Sequence, residues 1–142
     1  QSNIRNDMKD FEQFKEEVIT SPRWIVSLDE NDLKAFQGDD DCTITILEAE
    51  TEDATEQRLR ILFDDIAKQF NALEYPCGNS VKVLIHIQFP ISVPLMMNEM
   101  SAINEMVDLI LPSGLDCEVK WGLSPREDNL CKITCAISLN RT

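Results

Sequence analysis

Glycine is scarce in this 142-residue chain: four residues, at 38, 78, 114 and 122, none of them grouped into a loop that could wrap backbone N–H groups around a phosphate. Nucleotide binding or hydrolysis is therefore not expected of the chain by itself. Positive charge is also sparse, with 13 Lys and Arg against 26 Asp and Glu and a formal charge of -13. That balance opposes contact with phosphate backbones and anionic lipid, so neither a nucleic-acid nor a membrane partner is expected, and only a basic protein surface is favoured electrostatically. No apolar run is long enough to cross a bilayer, and no charged-then-apolar leader pattern is read within the sequence. The five cysteines (Cys42, Cys77, Cys117, Cys131 and Cys135) are odd in number and lack a C-x-x-C pair. Neither a disulfide framework nor a zinc site is indicated, and reduced thiols in a cytoplasmic protein are the expectation. The chain starts at Gln1 without a methionine, which reads as an excised or processed segment.

What is present is a regular alternation of helix and strand periods. An apolar fraction of 43% and this length suit one globular domain with a real core. Met8, Phe11, Phe14, Lys15 and Val18 give a narrow stripe for a helix over residues 7–20, which Pro22 stops. So weakly amphipathic a helix needs another surface to pack on. Asp29 suits the start of a short second helix running to about Phe36, before Gly38 and Asp39 to Asp41 break the pattern. Residues 42–48 alternate as a half-buried strand. Asp53 with Glu56 forms a potential capping box for a helix over 53–70 whose stripe is Leu59, Leu62, Phe63, Ile66 and Phe70. Residues 81–89 are a strand, and Ser92 before Val93 and Pro94 opens a helix over 93–111 carrying Met96, Met100, Ile103, Val107 and Ile110. Two further strands, 116–123 and 130–139, are expected to pair as an antiparallel hairpin. Right-handed crossovers make the first strands parallel. The expected fold class is α/β, an α+β two-layer sandwich: a β-α-β-α-β-β four-stranded mixed sheet with two long helices on its apolar face, after short N-terminal helices.

One segment carries more than periodicity. Ile19-Thr20-Ser21-Pro22 follows the first helix, and Ser27-Leu28-Asp29-Glu30-Asn31-Asp32 with Lys34 opens the second, presenting two acids three apart. This segment resembles the synergy loop of the FtsZ/tubulin family of filament-forming GTPases, where I-T-x-P is followed by Asn-x-Asp-x-x-Asp and a basic residue. Ser27 stands in place of the Asn, and one residue must be inserted between Pro22 and Ser27 to hold both matches in register. The element order from about residue 18 onward is similar to that family's C-terminal domain. The resemblance implies a helical lead-in with the loop over 1–37 and a sandwich domain over 38–142. It further implies that Asp29 and Asp32 reach the nucleotide of the next subunit in trans, with Ser27, Asn31 and Lys34 at the interface. The implied partner is protein, by self-association or with an FtsZ-like subunit, in a cytoskeletal or cell-division role. No cofactor is expected in this chain, and GTP enters only through a GTPase domain outside it.

Each feature also has a simpler reading. Acids are common in a first helical turn because they complement its dipole. The fold could equally serve a non-enzymatic protein-interaction module. His86, the single histidine, lies in a strand and reads as a surface or hydrogen-bonded side chain ahead of a catalytic base. Cys131 and Cys135 point the same way but stand roughly 13 Å apart along a strand, which suits core and not metal ligation. Asp39 to Asp41 with Glu48, Glu50, Glu52 and Asp53 read as a solvated acidic rim, and Met96, Met97, Met100 and Met106 mostly as core filling.

Overall fold

The computed structural model describes residues 11–20, 28–37, 42–72, 81–110 and 117–140. Two helices come first, α1 (Phe11–Thr20) and α2 (Glu30–Gln37). Then follow β1 (Cys42–Thr51), α3 (Arg58–Asn71), β2 (Val81–Pro90), α4 (Met97–Ser101), α5 (Ile103–Ile110), β3 (Cys117–Arg126) and β4 (Cys131–Asn140). The α/β class and the four-stranded mixed sheet are those expected. Met8, Pro22, Gly38 and Cys77 lie outside the described residues, as does the Asp39 to Asp41 run.

The strands lie in the order β1-β4-β2-β3. β4 runs antiparallel to both β1 and β2, while β2 and β3 are parallel, so β1, β2 and β3 share one direction. The expected β3–β4 hairpin does not form. Burial explains why: β4 is buried from Ile133 to Ser138 on both of its faces, whereas β3 exposes Glu118 and Lys120. The small residues Thr134, Ala136 and Ser138 looked like a solvent face, yet they let helices close over a central strand. Pro125 of β3, which has no N–H to donate, sits on an edge strand, where its missing donor costs nothing. Crossing over β2 takes two interstrand steps, about 10 Å. Four extended linking residues reach about 13 Å, enough for the passage from Arg126 to Cys131.

Both long helical segments begin later than their sequence signals. Asp53 closes a local turn, its Oδ1 accepting from the N–H of Thr55 (2.7 Å) and from the Thr55 hydroxyl. Thr55 then accepts the N–H of Gln57 at 3.2 Å, and α3 starts at Arg58. Glu56 does not complete a capping box with Asp53; its Oε2 accepts from Asn98 instead, at 2.9 Å. Downstream, Val93 N–H bonds to Pro90 O at 3.0 Å, so the chain turns before entering α4 at Met97. A tight turn at Ala102, whose N–H reaches Glu99 O at 3.2 Å, divides the expected second helix into α4 and α5. Leu95, Ile103 and Val107 provide its buried side chains, with Met100 and Met106 packed at their margin. Met96, expected on the buried stripe, is 61% exposed, and its neighbour Met97 is 77% exposed.

Helices cover the sheet on both sides. The main core joins Leu59, Leu62, Phe63, Ile66 and Phe70 of α3 to odd-numbered strand positions such as Val83, Ile85, Ile87, Ile133 and Cys135. A second core lies on the opposite face, where Phe14 and Val18 of α1 and Leu33 of α2 meet Ile46, Leu84 and Ala136. The narrow stripe of α1 thus finds its surface on the side of the sheet away from α3.

Candidate functional site

Asp29 and Asp32 stand at the start of α2 and bond reciprocally. The Asp32 N–H donates to Asp29 Oδ1 at 2.9 Å, and the Asp29 N–H donates to Asp32 Oδ2 at 3.0 Å. Two of the N–H groups that a helix start leaves without carbonyl partners are satisfied this way. Leu33 N–H continues the ladder to Asp29 O at 3.2 Å, and the buried Leu28 and Leu33 pin this turn to the second core. Asp32 Oδ1 also accepts from Lys120 Nζ of β3 at 2.9 Å. Burial pushes the Asp32 carboxyl upward, but the Lys120 hydrogen bond and charge, with the bond from Asp29, outweigh it and hold the group below its ordinary range. The same pairing raises the Lys120 ammonium.

Asp29 and Asn31 are exposed, so the turn is presented outward. Lys34 lines an open depression between α1 and α2 together with Lys15, Ile19, Thr20 and Glu30. Ser27 lies outside the described residues. Lys120 was not singled out by sequence, because in an alternating strand nothing indicates which acid a lysine will meet.

A second polar constellation crosses the sheet beneath α1. His86 is only 2% exposed, a correction to any reading of it as a surface residue. Its Nε2 lies 3.0 Å from Ser124 Oγ, and its Nδ1 lies 3.5 Å from Glu17 Oε1 of α1. Serine, imidazole and carboxylate in this order are the parts of a nucleophile relay. Here, however, Ser124 is 4% exposed, and the depression nearby is lined by Glu17, Gln88 and Pro125 and not by the serine or the histidine. Among the described residues, neither side chain opens onto that depression. Among the described residues no group of three or more acid, thiol and imidazole side chains is placed to hold a metal ion.

No protein-family model matches the chain, and no curated protein matches it in sequence. Solved structures do match in shape. An FtsZ dimer from M. jannaschii aligns with a TM-score of 0.59 at 20% identity over 96% of this chain and 42% of that one. A point mutant of that FtsZ gives 0.53 at 18% identity over 96% and 43%. TubZ protofilaments in the GDP form, from Bacillus thuringiensis serovar israelensis, give 0.58 at 14% identity over 86% and 32%. The fold is that of the FtsZ C-terminal domain. The chain spans less than half the length of the FtsZ and TubZ chains it matches.

Within this FtsZ-like fold one heavily bonded side chain is a residue the sequence reading passed over. Arg58, at the first turn of α3, is fully buried and forks onto Glu99 of α4, with Nε to Oε2 at 2.8 Å and Nη2 to Oε1 at 3.1 Å. Its Nη1 reaches Val93 O at 2.8 Å and Nη2 reaches Pro94 O at 3.0 Å. Glu99 Oε1 accepts the Met96 N–H as well, at 3.0 Å. A signal did exist: Arg58 falls in the 58-62-66-70 row of the α3 stripe, a cation where an apolar side chain belongs.

Cys131 and Cys135 sit in the core of this FtsZ-like fold, as expected of them. Burial pushes Cys131 up to about 11, a positive contribution from Arg58 opposing it only partly, and burial pushes Cys135 up to about 12. Thiolate is the reactive form, so both cysteines should resist alkylation near pH 8 in the folded chain and react once it is unfolded. Site-resolved mass mapping checks this, and rapid native labelling of Cys135 would refute its core placement.

Proposed function

We propose that this chain is a subunit-association domain of an FtsZ/tubulin-like cytoskeletal protein that offers Asp29 and Asp32 to a nucleotide held by a neighbouring subunit. The observation that carries this reading is the D-x-x-D turn at the start of α2, with Asp29 exposed and Asp32 half-buried, on an FtsZ-like fold. Hydrolysis of a nucleotide triphosphate asks the protein to orient the attacking water and compensate charge, with little covalent work, and carboxylates suit that task. Asp32, kept ionised by Lys120, would accept a hydrogen bond from such a water, while Asp29 holds the turn in place. On this reading the nucleotide that the acids meet is the one held by the neighbouring subunit, and this sequence itself has no glycine-rich phosphate loop. Asn31 and Lys34, flanking the acids, would meet that neighbour together with Ser27. The reading places the protein in the cytoplasm with protein as its partner, and the dimeric and protofilament states of the matched structures support self-association. A role in cell division belongs to the same proposal.

In a subunit that carries the nucleotide-binding domain, Asp32→Ala is expected to lower turnover by about a hundredfold while nucleotide affinity stays unchanged. Unchanged turnover would remove the catalytic role. A second reading has its own support: both Asp32 oxygens are already engaged within the chain, by Lys120 and by the Asp29 N–H. On that reading the turn is a non-enzymatic docking element, and Asp32→Ala weakens association in sedimentation while leaving turnover per assembled subunit intact.

A further inference from the structure

The polar strip beneath α1 is independent of the acid pair, and its geometry suggests a device. Phe14 and Val18 anchor α1 on the sheet, and Glu17 lies between them facing His86 of β2. We propose that Glu17 and His86 form a proton-operated latch that holds α1 more tightly against the sheet when the imidazole is charged.

A neutral imidazole has one donor and one acceptor nitrogen, whereas the imidazolium donates through both. The groups that face the two nitrogens are both able to accept. Ser124 Oγ, 3.0 Å from Nε2, is a hydroxyl that turns to accept, and Glu17 Oε1, 3.5 Å from Nδ1, is a carboxylate. Protonation therefore adds a charge-assisted attraction between β2 and α1, with the ring buried and the Glu17 side chain 19% exposed. Burial of the ring opposes the charge, so the sign rests on the facing groups.

From α1 the facing group is Glu17, and the Lys15–Glu12 pair (2.6 Å) is self-contained. From β4, Thr134 Oγ1 lies 3.4 Å from Glu17 Oε1 and 3.4 Å from Glu48 Oε2 of β1, drawing a second carboxylate toward the site. Three cations on this face are paired with acids: Lys132 with Glu48 at 3.0 Å, Lys120 with Asp32 of α2 at 2.9 Å, and Arg126 with Asp128 at 2.6 Å. Lys82 on β2, Glu118 on β3 and Glu50 on β1 share the face, with Glu118 and Glu50 exposed. The carboxylate closest to the ring thus decides the balance. On this proposal α1 docks more tightly at low pH, where the imidazole carries its proton, and less tightly once the proton is lost.

His86 is the single histidine of the chain, so its ring resonances report the latch without ambiguity. Glu17→Gln should lower the His86 titration midpoint by about one pH unit, a tenfold loss of proton affinity. In the unmodified chain, amide exchange across Phe14 to Val18, corrected for its intrinsic rate, should slow between about pH 8 and about pH 5.5, and this slowing should vanish in Glu17→Gln and in His86→Gln. Equal midpoints in the unmodified chain and Glu17→Gln overturn the proposal. So does α1 protection in the unmodified chain that does not respond to pH, a measurement that needs no variant to fold.

Discussion

Glu99→Ala is expected to lower the free energy of unfolding by about 3–5 kcal/mol, a large part of the stability of an ordinary domain. The substitution leaves the guanidinium of Arg58 buried with only the carbonyls of Val93 and Pro94 for company. It also strips the Met96 N–H of the oxygen that caps α4. The loss does not mean that the pair stabilises the fold by the same amount, because much of it is the cost of stranding a charge. A double variant separates the two contributions. Arg58→Met with Glu99→Leu removes both charges while keeping bulk, and should recover most of the lost stability and could exceed the original. Urea denaturation of the two variants decides the matter. A loss below about 1 kcal/mol for Glu99→Ala would mean that water enters and screens the site. The clamp has a structural consequence too: by gripping two carbonyls and the carboxylate together it holds residues 93–99 as a turn leading into a short helix.

That clamp marks where sequence reasoning succeeded and where it stopped. The α3 stripe from Leu59 to Phe70 was legible because five apolar side chains at helical spacing have one economical solution, burial against a sheet. Strand positions were legible for the same reason at period two. Pairing was not, since Thr134, Ala136 and Ser138 look the same to a periodicity argument whether water or a helix lies above them. Only knowledge that α1 and α2 cover this face makes β4 central, and that is a long-range fact. The helix starts failed locally: Asp53 and Thr55 satisfied one another within a turn, and competition of short polar side chains for nearby N–H groups is weakly marked in sequence. At the candidate site, the D-x-x-D turn could be read from two acids three apart, whereas its lysine partner comes from 88 residues away.

Phe14→Ala provides the second large effect, and it tests whether α1 belongs to the cooperative unit. Phe14 is 0% exposed and stacks on Phe11 with ring centroids 6.2 Å apart, although α1 has little apolar surface beyond these rings and Val18. If α1 folds with the sheet, removing the ring costs about 3–5 kcal/mol in urea denaturation, as for other buried phenylalanines. If instead α1 opens on its own, the global transition moves little and amide protection disappears from α1 alone. Ile61→Ala is a suitable control. Ile61 is a large apolar side chain on α3 exposed to solvent, and its loss should change stability by no more than about 0.5 kcal/mol. The second core makes the first outcome the expected one: Phe14 shares it with Leu84 of β2, Ala136 of β4 and Leu33 of α2, so a hole there is felt by both N-terminal helices and by the central strands. A Phe14→Ala chain with unchanged global stability would show that α1 is an appendage, and the start of α2 would then depend for its position on Leu28, Leu33 and the Asp32–Lys120 pair alone.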